Sequence, residues 1–394
     1  ISQKKILYFY EKGLKLEVIN LFLSSMKTEN PDDQPPPEPS GGTRDKKGLN
    51  RKLTVAFIYN VRHVYPDPND PMTQLEADFD DVSVIESMIK HLGDCGFNVI
   101  PIEANEEAYL KLYENRHKID IAFNFSEGIY SEGREAHIPA MLEMLRIPYT
   151  GSSSTTHGII FNKVRTKEVL IAHHIPTPLY QVLNSPNEKL RKDLKFPLIV
   201  KPISQGSSAG ITNKSVVYNE KNLKKQIKFI RETFAQSSLV EEFLNGREFS
   251  IPMLGNPPKL LPIIESLHDK LPKDFQRIDS LEVKWFYEEE SAGVDHLSCP
   301  AKIPQSLYKK IEKICIDTWD AIGILDWCRI DVRCDEKENP YVLEVNSPAG
   351  LLPPEIYVNS YYPLAARKFG INYQDLLKNI ISHSLKRYGT NYSN

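Results

Sequence analysis

The sequence predicts an α/β protein built of two or three domains, and three observations carry that prediction. The chain has 394 residues, more than one hydrophobic core organises. Hydrophobic residues are 41% of it and charged residues 26%, the balance of a soluble globular chain. From Leu53 onward, apolar β-rich runs alternate with stretches of helical spacing, the pattern of open α/β sheets.

Residues 1–27 read as an amphipathic helical appendage, with Ile6, Leu7, Phe9, Leu14, Ile19 and Leu23 in its apolar set. Residues 28–52 include Pro35-Pro-Pro-Glu-Pro39 and cannot bury apolar surface, so they read as a linker. A linker this long transmits little, so deleting residues 1–50 is expected to leave activity intact. A truncated protein that folds but loses turnover would contradict that.

Residues 53–160 form the first α/β unit. Its strands are expected over Leu53–Tyr59, Phe97–Ile102 and Ile119–Phe125, and its helices over Asp80–Leu92 and Ile138–Leu145. The second unit, 161–246, has helices over Asn162–His173 and 219–235. Its strands are expected over Leu179–Leu183, Leu198–Lys201 and Leu239–Phe243. The third, 247–388, has strands over Phe249–Leu254, Leu260–Ser266, Arg329–Cys334 and Tyr341–Asn346. Helices over Gln305–Ile322 and Gln374–Leu385 complete it.

Composition narrows the function. The formal net charge is −3, so no basic field asks for nucleic acid, and an anionic ligand must be held by local Lys, Arg and backbone N–H groups. The five cysteines are Cys95, Cys299, Cys315, Cys328 and Cys334; none forms a C-x-x-C pair, which argues against a disulfide framework or zinc site and for a reducing compartment. No apolar run has membrane-spanning length, and no leader pattern opens the chain, so a cytoplasmic location with no membrane partner is expected.

Three segments carry chemistry. In Phe196-Pro-Leu-Ile-Val-Lys-Pro-Ile-Ser-Gln-Gly-Ser-Ser-Ala-Gly-Ile211 a buried strand ends in Lys201 and a loop comes next, with Gly206, Ser207, Ser208 and Gly210. Small residues let backbone N–H groups close on phosphate oxygens, and the lysine adds a point charge. Read alone, an ordinary Gly/Ser turn after a strand explains the loop equally well.

The second segment pairs Asp326-Trp-Cys-Arg-Ile-Asp-Val-Arg-Cys334 with Pro340-Tyr-Val-Leu-Glu-Val-Asn-Ser347. Alternation puts Arg329, Asp331 and Arg333 on one face, and Glu344 with Asn346 on another. Paired strands bring Asp331, Glu344 and Asn346 together as an all-oxygen set suited to Mg²⁺ and phosphates, with Arg329 beside them to neutralise a phosphoryl group. The apolar residues around them argue against an exposed polar face. The third segment, Ser238-Leu-Val-Glu-Glu-Phe-Leu-Asn-Gly-Arg-Glu-Phe-Ser250, offers Glu241, Glu242, Glu248 and the carbonyls of Phe243 and Leu244 to adenine and ribose. Alone, it reads as a hairpin with solvated acids.

Together these segments resemble the ATP-grasp superfamily, and within it the D-alanine–D-alanine ligase family. The resemblance runs from about Leu53 to Leu385. It is sharpest in Pro148-Tyr-Thr-Gly-Ser152, Asn162-Lys-Val-Arg-Thr-Lys167, Ile199-Val-Lys-Pro202, Arg329-Ile-Asp331 and Leu343-Glu-Val-Asn346. It implies an ATP-grasp fold: an N-terminal open α/β substrate domain, then central and C-terminal domains gripping ATP. It implies that Lys163 and Lys201 hold nucleotide phosphates and that Ser207 and Ser208 lie in a phosphate-covering loop. Glu241, with Glu242, Phe243 and Leu244, would face adenine, and Glu248 ribose. Lys284 would reach the γ-phosphate from a flexible loop. Asp331, Glu344 and Asn346 would bind Mg²⁺, or Mn²⁺ in its place. Arg329 and the backbone of Gly350 would stabilise a tetrahedral intermediate, and Ser360 would receive the second substrate's carboxylate.

The implied reaction is attack of one amino acid's carboxylate on ATP to give an acyl phosphate, then displacement of phosphate by a second substrate's amine. A homodimer acting on small amino acids, with D-alanyl-D-alanine for cell-wall peptidoglycan as its product, is what the resemblance implies.

Departures gather at the substrate end. The family's Gly-Gly-x-Ser-x-Glu stretch is replaced by Tyr59-Asn-Val-Arg-His-Val-Tyr-Pro-Asp-Pro-Asn-Asp-Pro71, with Phe79 at the position of the acid. Glu76, Asp78 and Asp80 are nearby substitutes, and Glu76 is taken as the residue for the first substrate's amine. Arg134 stands where another acid is expected, and the loop Ser347–Ser360 is longer than usual. His63 and His137 read as surface or packed side chains. Two other functions therefore stay open: a carboxylate–amine ligase with different substrates, and a non-catalytic nucleotide-binding regulatory module.

Overall fold

The computed structural model describes residues 51–67, 70–287 and 296–390. The helix expected over 1–27 and nearly all of the linker lie outside the described residues.

The first segment opens on β1 (Thr54–Tyr59), whose four central residues are buried. α1 (Val82–Asp94) begins where the Asp81 carboxylate accepts the Ser83 N–H, and it buries Val84, Ile85, Met88 and Leu92. β2 (Asn98–Glu103), α2 (Ala108–Asn115) and β3 (Ile121–Asn124) come next. The three strands run parallel in the order β2-β1-β3, with Val55 opposite both Val99 and Ile121. α3 (His137–Leu145), α4 (Ser154–Ile160) and α5 (Lys163–Ala172) lead out of this unit. The Asn162 carboxamide caps α5 by accepting from the N–H groups of Val164 and Arg165.

The second sheet is antiparallel. It holds β4 (Tyr180–Leu183), β5 (Leu198–Pro202), β6 (Val216–Val217) and, after α6 (Glu220–Phe234), β7 (Ser238–Glu242). The order is β4-β7-β5-β6. The third sheet begins with β8 (Glu248–Leu254), β9 (Lys259–Leu260), β10 (Ile264–Ser266) and β11 (Leu297–Ser298). α7 (Gln305–Ile322) precedes β12 (Trp327–Cys334) and β13 (Pro340–Asn346), and the order is β11-β10-β8-β12-β13 with β9 on β8. α8 (Tyr361–Lys368) and α9 (Tyr373–Arg387) end the described chain.

The structure corrects three expectations. The strand expected over Leu260–Ser266 is two short strands, because Pro262 interrupts the run and has no N–H for the ladder. α2, α4 and α8 were not foreseen. α2 spans only eight residues, shorter than the window in which a helical period shows. The first and third segments also share one core. Val55, Phe57 and Met88 pack in one cluster with Tyr362, Leu376 and Ile380 of α8 and α9. The other face of the same sheet, through Ala56 and Ile58, packs on α2 and α3. A parallel sheet needs cover on both faces, and the C-terminal helices join α1 in covering the second. Among the described residues no helix is long and apolar enough to cross a membrane.

Candidate active site

The ends of β5 and β7 meet the polar faces of β8, β12 and β13 across a cleft with about 700 Å³ of empty space. Of the residues singled out in the sequence, Lys201, Ser208, Glu241, Glu242, Phe243, Leu244, Glu248, Lys284, Arg329, Asp331 and Glu344 line it. Ile199, Ile211, Ile278 and Leu343 add apolar surface.

β12 and β13 explain the acidic wall. Their antiparallel register sets Arg329 opposite Asn346 and Asp331 opposite Glu344, with a bulge between Asp331 and Val332. The Arg329 guanidinium grips Asp331 through two nitrogens, Nε to Oδ1 at 2.9 Å and Nη2 to Oδ2 at 2.8 Å. Ser250 donates to Asp331 Oδ1 at 2.7 Å, and the Asn346 amide nitrogen to Oδ2 at 2.9 Å. Lys163, the first residue of α5, ion-pairs with Glu344 Oε2 at 3.2 Å and donates to the Gln205 carbonyl at 2.8 Å. Burial opposes the charge on Glu344, but Lys163, Lys201, Lys284 and Arg329 together draw its pKa down to about 2. Its contribution to stability is therefore complete above the usual glutamate range and is lost as pH falls toward 2. Glu344→Gln is expected to flatten that part of a stability-versus-pH profile measured by denaturant titration; an unchanged profile would contradict the pairing.

The opposite wall holds buried lysines. Glu241 is 1% exposed and joins both Lys167, by a short contact, and Lys201, at 2.8 Å. Burial lowers the pKa of Lys167 even against the pull of Glu241. Burial also opposes the charge on Lys201, yet Glu241 and Glu344 outweigh it and raise its pKa. The reading of this hairpin as solvated acids therefore fails for Glu241 and holds for Glu242, which is exposed. Glu248 accepts from Arg333 Nη1 at 2.6 Å, and that guanidinium lies 4.8 Å from the centre of the Phe243 ring.

The loop after β5 turns through Ser207 (φ 45°), Ser208 (φ 61°) and Gly210 (φ 75°). The two serines share the left-handed backbone with Gly210; Gly206 is instead a close approach, where a Cβ would come within 2.8 Å of Asp78. Ser208 donates to the Asp279 carbonyl at 2.7 Å. The Asp279 carboxylate in turn accepts from Tyr361 at 3.1 Å and pairs with His268 at 2.7 Å. Despite burial, His268, Lys284 and His296 hold it below the usual aspartate range. Lys284 lies in the π-helical turn Val283–Tyr287.

Other predicted residues lie around the cleft. Ser360 is buried at the N-terminus of α8 with its hydroxyl unused as a cap. Gly350 is exposed on the preceding loop. Glu76 does not line the cleft; its Oε2 accepts the backbone N–H groups of His63 at 2.7 Å and Val64 at 3.0 Å. His63 and His137 are exposed.

The family profile described as D-ala D-ala ligase C-terminus matches residues 172–382, the stretch that carries Lys201, Glu241, Arg329, Asp331 and Glu344. The chain belongs to the D-alanine–D-alanine ligase family. Among its relatives is the D-alanine–D-alanine ligase of Carboxydothermus hydrogenoformans, 32% identical over 74% of this chain and 89% of the relative. The uncharacterized protein y4sG of Sinorhizobium fredii is 31% identical over 82% of this chain and 92% of its own length. A crystal structure of D-alanine–D-alanine ligase from Bacillus anthracis has a TM-score of 0.63 at 25% identity and covers 86% of this chain and 99% of its own. The fold is therefore that of the ATP-grasp ligases.

In this member of the D-alanine–D-alanine ligase family, the sequence did not single out Lys167, Asp279 or Tyr361 for the cleft. Lys167 had a signal: it stands one helical turn after Lys163, on the face of α5 that must be buried. Asp279 and Tyr361 had none, because one lies in an irregular segment and the other opens the unforeseen helix α8, and only the fold brings them together. Arg134, at the position of a family acid, is buried in an ion pair with Asp78, so the charge sign is exchanged and neutralised locally.

Proposed function

We propose that the chain joins a carboxylate to an amine while ATP becomes ADP and phosphate, and that D-alanine with D-alanine is the first pair to test. The observation that carries this reading is the convergence of three lysines and Arg329 with an acid pair on one cleft. Lys163, Lys201 and Lys284 are assigned to the nucleotide phosphates. Ser207 and Ser208, in the turn after β5, are assigned to cover them. Glu241 holds Lys201 in place and does not itself meet adenine, since both its oxygens are committed to lysines. The backbone of Glu242, Phe243 and Leu244 is left to face the base, and Glu248 the ribose.

Two carboxylates and a carboxamide suit Mg²⁺ or Mn²⁺ when phosphate oxygens complete the shell. Asp331, Glu344 and Asn346 would hold that cation, and when bound it would neutralise charge on the transferring phosphoryl group. Arg329 is assigned to stabilise the anionic intermediate at the reacting centre. The Ser360 hydroxyl and the exposed backbone of Gly350 are assigned to the second substrate and the intermediate.

The altered positions Phe79 and Arg134 favour a second reading: the same chemistry with another amino acid or carboxylate. MgATP-dependent phosphate release with D-alanine alone, beside a panel of D- and L-amino acids, separates the two. Turnover with D-alanine and recovery of the dipeptide supports the first; turnover only with another pair supports the second. ATP binding with no turnover on any amine would leave a nucleotide-binding module and overturn both.

A further inference from the structure

The stretch Tyr59–Pro71 stands in place of the family's substrate-end pattern, and the described chain from Arg62 to Phe79 reaches the candidate nucleotide site at several points. The Arg62 guanidinium lies 4.5 Å from the centre of the Trp285 ring, one residue beyond Lys284. Arg62 is itself held by its bonds to the carbonyls of Glu76, at 3.4 Å, and Phe79. Trp285 Nε1 donates to the Ser207 carbonyl at 3.5 Å. The buried side chain of Gln74 accepts the Gly210 N–H at 2.9 Å. Ala77 packs with Ala209 and Phe234, and Trp285 lies against that cluster.

We propose that residues 62–67 and 70–79 act as a brace that clamps the phosphate loop (204–211) and the Lys284 turn to each other, with Arg62 and Gln74 as its positioning residues. The inference rests on the ligase reading for its catalytic consequence, but not for its structural one. Both anchors act on loops, and neither lines the cleft. The phosphate loop is fixed at Gly210 through Gln74 and at Ser207 through Trp285. The Lys284 turn is fixed through the Trp285 ring. One segment of the substrate-side unit thereby sets how tightly water is kept from the reacting centre. The physical cost of loosening it is leakage: a reactive acyl phosphate hydrolyses when water reaches it before the amine does.

Two readouts test the brace on the full chain. The first is the rate of tryptic cleavage after Lys284 without ligand, monitored by mass spectrometry. Arg62→Ala and Trp285→Ala are each expected to speed that cleavage about three- to tenfold, as loss of a partly buried cation–π contact implies. The double variant should be no faster than either single one. Trp285→Phe, which keeps an aromatic face for Arg62, should stay near wild type. The second readout is the ratio of phosphate released to amide formed. It does not depend on how much enzyme is folded, and it should rise from about one to about two or more in Arg62→Ala and in Gln74→Ala. Faster cleavage in a chain that never forms amide keeps the brace and removes the ligase reading. Wild-type turnover with unchanged cleavage and unchanged ratio in all these variants overturns the brace.

Discussion

Arg329→Ala is expected to lower kcat/KM by roughly 2–4 kcal/mol of transition-state stabilisation, about thirty- to thousandfold, most of it in kcat. The guanidinium is buried with Asp331, and it faces both that carboxylate and the Tyr361 ring, at 5.5 Å from the ring centre. Its pKa is raised: burial works against the charge, but Asp331 and Glu344 overcome it, so it stays cationic at every pH of interest. Arg329→Lys should recover little, because a single ammonium cannot reproduce the two-nitrogen grip on Asp331. Steady-state kinetics on the pair found active in the substrate panel measures this directly. Near-normal kcat/KM in Arg329→Ala would remove the residue from the reacting centre.

Glu241→Gln should give the largest stability loss of any single change in the cleft. The substitution keeps the shape but leaves Lys167 a buried cation without its anion and Lys201 with Glu344 as its main remaining acid, a defect that costs roughly 3–5 kcal/mol. Glu241 has a depressed pKa: burial alone would raise it, and the two lysines more than reverse that. Its contribution is thus fully present above the usual glutamate value and fades as pH falls below it. Urea titrations of wild type and variant should therefore differ strongly near neutrality and converge in acid. A parallel drop in ATP affinity is expected from the disturbed Lys201. The double variant Glu241→Gln with Lys167→Met should regain part of the stability, since it removes the cation that cannot reach solvent.

Much of the site was legible because its residues lie on strands. A period of two fixes which side chains share a face, so Arg329, Asp331, Glu344 and Asn346 could be grouped before any pairing was known. Lys201 was legible for the same reason, as the charged end of an otherwise apolar run. The hidden part came from irregular chain. Asp279 and Tyr361 meet only because the loop before the Lys284 turn and the start of α8 pack together, and no local period encodes that. Nor was the turn after β5 legible in detail: Ser207 and Ser208 take the left-handed backbone beside Gly210, with Ser208 donating to the Asp279 carbonyl and the Ser207 carbonyl accepting from Trp285. Glu241 was misjudged because its partner Lys167 lies 74 positions earlier, on another element. Most strands could be read from the apolar runs, whereas the two-residue β6 and β11 and the common core of the first and third segments could not. Hydrophobic pattern gives the face to be buried, but not which distant helix buries it.

That common core has a consequence for how the protein comes into being. During synthesis, β1, β2 and β3 leave the ribosome well before α8 and α9 exist, and one side of the nascent sheet must wait for them. Val55, Phe57 and Phe123 stay open to other chains in that interval, when they are most prone to aggregate. The first unit should accordingly be insoluble when expressed alone, and chains halted before Tyr373 should depend on holdase chaperones. Final consolidation should come only once the last helix is released and closes a loop of roughly three hundred residues back onto the first strand.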